Sequence, residues 1–400
     1  MKLNKEIILN VNNLCVKTTE NSQHQNLIDG VSLDIKKNEI VGLIGESGSG
    51  KSLTSLSILG LLEKNKFDIS GEIIFNGNNL LDLDNNAMIE IRGSEISMIF
   101  QEPMSALNPT MKIGEQIFEV FKAHKNLSFE HTTKRIKKLI KKVKLDNVEN
   151  LLDKYPHQIS GGQKQRVMIV MALSCNPQLL IADEPTTALD VTIQKEIIEI
   201  LKNLQKSEKL SILFISHDLR LVSNISDKIL IMKNGKIIEG GSNKNIINYP
   251  KENYTKALLS LIINDKKRLK KLPTVESFNK NFKEEAETEK ERNKRIKSIY
   301  SGKPILEIKN VSKFYNTSKN LFRNNKSFKA LSQISLKLFK GETLGLIGES
   351  GSGKTTLSNA ILKIHEFEKG EILFKGKDIS KIKERELLEF RKNVQIIFQD

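Results

Sequence analysis

One stretch of eleven residues occurs twice in this 400-residue chain. Gly42-Leu-Ile-Gly-Glu-Ser-Gly-Ser-Gly-Lys51-Ser52 returns 303 residues later as Gly345-Leu-Ile-Gly-Glu-Ser-Gly-Ser-Gly-Lys354-Thr355. The flanks repeat as well. Val31-Ser-Leu-Asp-Ile matches Ile334-Ser-Leu-Lys-Leu, Gly71-Glu-Ile-Ile-Phe matches Gly370-Glu-Ile-Leu-Phe, and Met98-Ile-Phe-Gln101 matches Ile396-Ile-Phe-Gln399. A repeat of this length is a duplicated domain rather than a solenoid, whose units run to about 20–45 residues. The expected organisation is a complete domain over 5–262, a charged linker over 263–303, and the first part of a second copy over 304–400. The second copy stops just past Gln399, which leaves apolar surface to be covered, so residue 400 reads as a truncation.

Both copies fit Gly-x-x-x-x-Gly-Lys-Ser/Thr between an apolar strand and a helix, a context that specifies an α/β phosphate-binding loop. In the first loop, Gly45, Glu46, Ser47, Gly48, Ser49 and Gly50 let the backbone wrap a phosphate and aim N–H groups inward at a helix start. Lys51 reaches the outer phosphates and Ser52 ligates Mg²⁺. Gly348, Glu349, Ser350, Gly351, Ser352, Gly353, Lys354 and Thr355 repeat these roles. Leu179-Leu-Ile-Ala-Asp183-Glu184 is an apolar strand ending in two acids, at the carboxyl edge where α/β proteins place ligands. Asp183 is the second candidate Mg²⁺ ligand, and Glu184 is the candidate that polarises the attacking water.

Composition narrows the partners. The excess of 64 basic over 48 acidic residues comes from 54 lysines and only 10 arginines, with 6% aromatic residues and no Trp. Nucleic-acid readers favour arginine and stacking rings, so the charge reads as lysine-rich solvated surface, with anionic lipid head groups a compatible target and nucleic acid not expected. Much of it lies in His131–Leu145 and Asn264–Tyr300. The first places Ile136, Leu139, Ile140 and Val143 at helical spacing, a stripe that suits a core. The second is the linker, with a helix expected over Glu284–Ile299. No apolar run reaches the ~18–20 residues of a membrane helix, and Met1-Lys-Leu-Asn-Lys leads into no signal-peptide core. Two distant cysteines, Cys15 and Cys175, make no disulfide framework and suit a reducing setting.

Further motifs carry a family resemblance. Ser160-Gly161-Gly162-Gln163-Lys-Gln-Arg166 resembles the signature of ATP-binding-cassette (ABC) ATPases. Gln101 resembles the Q-loop, Ala188-Leu189-Asp190 the D-loop, and His217 after Ile212-Leu-Phe-Ile-Ser216 the switch histidine. Phe100-Gln-Glu-Pro-Met-Ser-Ala-Leu-Asn-Pro109, Tyr155-Pro-His-Gln-Ile-Ser-Gly-Gly and the tail Tyr249–Leu259 are similar to the dipeptide, oligopeptide and nickel import branch. Two cassettes on one chain resemble its fused forms, the glutathione and microcin C import ATPases among them.

The resemblance implies an α/β P-loop NTPase of ABC type, with a RecA-like core, an antiparallel β subdomain and an α-helical signature subdomain, duplicated and incomplete in the second copy. It implies ATP and Mg²⁺ as cofactors, with Glu184, His217 and Gln101 catalytic. Ser52, Asp183, Gln101, Thr355 and Gln399 are then the metal set. Ser160, Gly161, Gly162 and Gln163 bind the γ-phosphate across a cassette–cassette interface, and Asp190 serves that interface. It also implies transmembrane permease subunits as partners, an extracytoplasmic solute-binding protein acting indirectly, and a peripheral place on the cytoplasmic face of the membrane. Hydrolysis would power uptake of a peptide or related solute; a soluble tandem cassette acting on ribosomes is the alternative.

Three departures qualify the resemblance. The adenine-stacking aromatic is Tyr315 in copy two but Thr18 in copy one. No cysteine follows Cys175, so no iron–sulfur cluster is expected in the tail. The second copy carries neither a signature nor an acid strand, so no complete composite site forms within one 400-residue chain.

Overall fold

The computed structural model describes residues 6–19, 25–101, 106–124, 129–145, 148–187, 189–260, 268–271, 274, 285–316, 327–349 and 351–398. Ser350, Gln399, Ala188 and the stretch 102–105 lie outside the described residues. The chain divides into two compact units, Met1–Asp265 with Lys271–Glu284, and Lys266–Lys270 with Glu285–Asp400.

The first unit is built on two sheets. The strands β1 (Ile7–Thr18), β2 (Asn26–Lys36), β4 (Phe67–Phe75) and β5 (Asn78–Asn79) form an antiparallel sheet in the order β2-β1-β4-β5. The strands β3 (Ile40–Ile44), β6 (Ile96–Ile99), β7 (Leu179–Asp183), β8 (Ser211–Ser216), β9 (Lys228–Lys233) and β10 (Lys236–Ser242) form the other, in the order β10-β9-β3-β8-β7-β6. All its pairings are parallel except β9 with β10.

Continuous apolar runs suit this central sheet because both of its faces are covered. β3, β7 and β8 are buried at every position. Side chains alternate across a strand, so one run feeds two cores. Ile40, Ile44, Leu180, Ala182, Ile212 and Phe214 join the core shared with the helices. Val41, Leu43, Leu179, Ile181, Leu213 and Ile215 join the core shared with the antiparallel sheet.

The helix Phe129–Lys142 carries the basic stripe. Ile136, Leu139, Ile140 and Val143 are buried in the helical core, as their spacing suggests. Arg135 and Lys142 are tied down, Arg135 to the Ser174 carbonyl at 2.8 Å and Lys142 to Glu208. The helix after the first loop runs over Lys51–Ile58 and stops there because Gly60 takes a left-handed φ of 59° and turns the chain out.

The second unit repeats the antiparallel sheet. The strands β11 (Pro304–Asn316), β12 (Ser327–Phe339), β13 (Lys369–Phe374) and β14 (Lys377–Asp378) lie in the order β12-β11-β13-β14. The helix expected over Glu284–Ile299 spans Glu289–Tyr300, starting where Thr288 and Glu291 close a reciprocal capping box. It ends on Tyr300, whose ring meets Phe339 edge-on at 4.9 Å and whose hydroxyl donates to Glu342 at 2.6 Å.

One repeated element differs. Residues 343–347, the counterpart of β3, join no ladder, and Leu344, Leu346 and Ile347 are 46%, 50% and 96% exposed. Ile397 and Phe398, the counterparts of Ile99 and Phe100, are likewise exposed. In the first unit β3 is held by β8 and β9. The described residues of the second unit hold no such partners, and an apolar run becomes a buried strand only when another strand takes up its backbone groups.

Candidate active site

Strand order brings the candidate residues together. β3, β8, β7 and β6 are neighbours in parallel register, with Ile44 opposite Ser216, Asp183 opposite Ile215 and Ile99 opposite Ala182. Their carboxyl ends therefore line one edge of the sheet. The loop Gly45–Ser52 leaves β3, His217 leaves β8, Asp183 and Glu184 end β7, and exposed Gln101 follows β6.

The phosphate loop closes on its own lysine. Lys51 Nζ donates to the carbonyls of Gly45 and Glu46, both at 2.8 Å. Gly50 caps the following helix at φ 105°, a left-handed geometry that side-chain-bearing residues rarely adopt. Gly45 is needed for closeness, because a Cβ there would stand 2.3 Å from the Met232 carbonyl. Burial pushes the Lys51 ammonium down, while Glu184, Asp183 and Glu46 pull it back up. Asp183 and Glu184 thus face the loop.

The second loop has the same local geometry. Lys354 Nζ donates to the Gly348 and Glu349 carbonyls at 2.6 and 2.7 Å, and Gly353 caps its helix at φ 97°. Thr355 is exposed at that helix start. The loop therefore forms without a paired strand before it.

Asp183 is 3% exposed, and its Oδ1 has no hydrogen-bond partner. Burial pushes the carboxyl above the ordinary aspartate range, although a hydrogen bond from Ser52 opposes this. A carboxyl whose folded pKa is raised opposes folding above that value. Its contribution vanishes below the ordinary range, where both states are protonated. Asp183→Asn therefore raises the melting temperature of the cation-free protein at neutral pH. Thermal melts across pH check this, with the gap closing as the pH falls below the ordinary carboxylate range.

Glu184 is gripped at both oxygens. Its Oε1 lies 3.1 Å from His217 Nδ1, and its Oε2 accepts from the Thr187 hydroxyl at 2.8 Å. Its backbone is left-handed at φ 46°, held there by its N–H donating to the Ile215 carbonyl at 2.9 Å. Such strain persists only where the surroundings over-determine it. Burial pushes the Glu184 carboxyl up, but the hydrogen bonds from His217 and Thr187 outweigh it and hold the group below the usual range.

The signature opens a helix of its own. Ser160 caps the helix Gly161–Leu173 in a capping box, its hydroxyl accepting from the Gln163 N–H at 3.3 Å while Gln163 Oε1 accepts from the Ser160 N–H at 3.0 Å. Asp190 caps the neighbouring helix Val191–Glu208, accepting from the Ile193 N–H at 2.9 Å. The two helix starts touch: a Cβ on Gly162 would come within 2.9 Å of Ile193. In this conformation Ser160 and Asp190 act as caps. Thr18 lies opposite Phe67 on β4, and Tyr315 opposite Phe328 on β12, with Lys313 Nζ 5.4 Å from the Tyr315 ring centroid.

Two contacts were not anticipated from the motifs that contain their residues. Thr187 had only its place three residues after Glu184. Tyr254, in the tail helix Asn253–Ser260, accepts from the Glu46 N–H at 3.2 Å across 208 residues of sequence.

A phosphate loop, a strand-end acid pair and a histidine on one parallel sheet define a P-loop nucleotide-binding fold, and the comparisons place it further. A family model described as ABC transporter matches residues 28–187 and 331–400. The chain belongs to that family. It is 38% identical over 410 residues to the glutathione import ATP-binding protein GsiA of Escherichia coli O6:H1, an alignment covering 98% of this chain and 64% of that relative's length. The chain thus spans under two thirds of the relative it matches. The dimeric bacterial ABC transporter cassette MJ0796 is 28% identical, with a TM-score of 0.53 over 59% of this chain and 98% of that one. The same cassette in a post-hydrolysis state bound to ADP and Pi gives 28% identity and a TM-score of 0.52 over the same shares.

Proposed function

We propose that this chain is an ATP-binding and ATP-hydrolysing subunit that powers uptake of a peptide or related small solute through a separate transmembrane ABC importer. The observation that carries the reading is the grip on Glu184, an ionised carboxylate held at both oxygens beside Asp183 and facing Lys51. The likeness to a glutathione import ATP-binding protein supports the direction of transport and the class of cargo.

The residues fit the cofactors. An orphaned, buried Asp183 Oδ1 with the Ser52 hydroxyl on the same carboxylate is an oxygen set suited to a hard divalent cation. The loop joins backbone N–H groups, a helix start and one ammonium, which suits a nucleotide triphosphate. When bound, ATP supplies the phosphoryl group to be cleaved, and Mg²⁺ neutralises charge that develops on it.

Each side chain then has a task. Lys51 leaves its carbonyl partners for the outer phosphates. Glu184 accepts a proton from the attacking water, and His217 and Thr187 aim its carboxylate. Gln101, at the carboxyl end of the edge strand, would help to hold the metal and to orient the attacking water. In the second copy Thr355 and Gln399 would hold the metal and Tyr315 would stack on adenine. Ser160, Gly161, Gly162 and Gln163 serve a nucleotide on a facing cassette, with Asp190 beside them, and MJ0796 is itself a dimer. The domain reading remains 5–262, 263–303 and 304–400.

Among the described residues no helix is long and apolar enough to cross a membrane. Membrane association then runs through permease subunits on the cytoplasmic face, with a solute-binding protein acting indirectly from outside. Cell fractionation tests this. The protein pellets with membranes, alkaline carbonate releases it, and co-sedimentation with ribosomes instead would overturn the reading.

The 400 residues carry Ser-Gly-Gly-Gln once. Their specific ATPase activity therefore rises with protein concentration, as first cassettes pair. A concentration series checks this, and fast hydrolysis first order in monomer contradicts it.

A further inference from the structure

The first phosphate loop stands on a floor made from the end of its unit. Gly235 N–H donates to the Ser49 carbonyl at 3.0 Å, and the Met232 carbonyl lies where a Gly45 side chain would be. The tail helix Asn253–Ser260 completes this floor. Tyr254 is 5% exposed, Lys233 Nζ sits 4.7 Å from its ring centroid, and its hydroxyl accepts from the Glu46 N–H. The helix entrance is pinned in turn, with Glu239 accepting from the Lys251 and Glu252 N–H groups at 2.8 and 3.1 Å. Glu46 is also one of the two residues whose carbonyls hold Lys51. One peptide-bonded residue thus ties the tail to the loop and the loop to its lysine.

We infer that the tail helix Asn253–Ser260 sets the phosphate affinity of the first loop, with Tyr254 as its positioning residue through the Glu46 backbone. The inference rests on the Gly45–Ser52 loop being the nucleotide site. Tyr254 touches no reacting atom. It holds the Glu46 backbone at the loop entrance. Coupling between two sites is reciprocal, so whatever the tail does for the nucleotide the nucleotide does for the tail. ATP in the loop therefore steadies the tail helix, and a loosened tail weakens ATP binding.

The experiment uses the full chain and ATP as the probe. Tyr254→Phe keeps the ring and removes the acceptor. It raises the Kd for ATP about 2- to 10-fold, the span of one net hydrogen bond, and leaves kcat at saturating ATP unchanged. Hydrogen exchange of residues 253–260 slows when ATP is added to the parent protein. It does not slow in Lys51→Ala, which serves as the binding-deficient control. Equal Kd values in parent and Tyr254→Phe, with tail exchange indifferent to ATP, overturn the inference and leave the proposed function standing. A parent protein that binds no ATP overturns both. The exchange arm on the parent protein decides the matter even where Tyr254→Phe fails to fold.

Discussion

Glu184→Gln lowers the ATP hydrolysis rate by about 10²–10⁴-fold, the usual worth of a positioned general base, and leaves ATP binding intact. The amide keeps the shape and a carbonyl oxygen for the Thr187 hydroxyl, which donates to Oε2 at 2.8 Å in the parent protein. What it lacks is the negative charge that makes the carboxylate basic enough to take the proton. Direct ATP titration and single-turnover phosphate release separate the two effects. Loss of binding along with hydrolysis would mean that Glu184 shapes the site instead. The pH profile adds a check. Burial raises this carboxyl, but its hydrogen bonds to His217 and Thr187 leave it below the ordinary glutamate value. Its stabilising contribution is thus full above the unfolded pKa and disappears as the pH falls through the lowered one. Glu184 stays ionised on acidification past the ordinary range, so an acid limb of activity nearer neutrality belongs to another group.

Lys51→Ala removes ATP binding while keeping the fold, with affinity falling at least about 10- to 100-fold, the worth of one or two charge-assisted hydrogen bonds. Lys51 Nζ already engages two carbonyls within the loop, so the ligand exchanges these contacts for stronger ones to phosphate. The side chain is 5% exposed and burial pushes its ammonium down, so the charge itself adds nothing to stability. The variant's melting temperature therefore stays near that of the parent without nucleotide. The two diverge when ATP is added, because ligand bound only to the folded state raises stability by mass action. A variant melting far below the parent in the absence of ATP would make Lys51 a structural residue.

The motifs made the site edge legible because each contact there is short-range or strand-borne. The apolar runs ahead of Gly45, Glu184 and His217 are β3, β7 and β8, and their parallel neighbouring is what an α/β crossover demands. The stripe Ile136–Val143 was readable for the same reason, since helical period reports a buried face. Distance in sequence hid the rest. Nothing near Tyr254 points to Glu46, and nothing near Glu184 betrays its left-handed backbone, which depends on the Ile215 carbonyl of the next strand. The repeat also misled in one respect. Identical residues 42–44 and 345–347 read as the same strand, yet the first is buried and the second lies open, because pairing belongs to the partners and not to the run.

That open segment has a bearing on how the first unit is made. Ile40 of β3 pairs with Ile212, which the ribosome adds about 170 residues later. At ~5–20 residues per second, roughly 10–35 s pass before the partner emerges. For that interval the nascent chain carries Ile-Val-Gly-Leu-Ile in the state that Leu344, Leu346 and Ile347 display, greasy and unclaimed. The lysine contacts of the loop do not depend on that pairing, since Lys354 reaches the Gly348 and Glu349 carbonyls beside an unpaired run. The growing polypeptide thus carries an apolar strand with no partner for its backbone groups until residue 216 arrives.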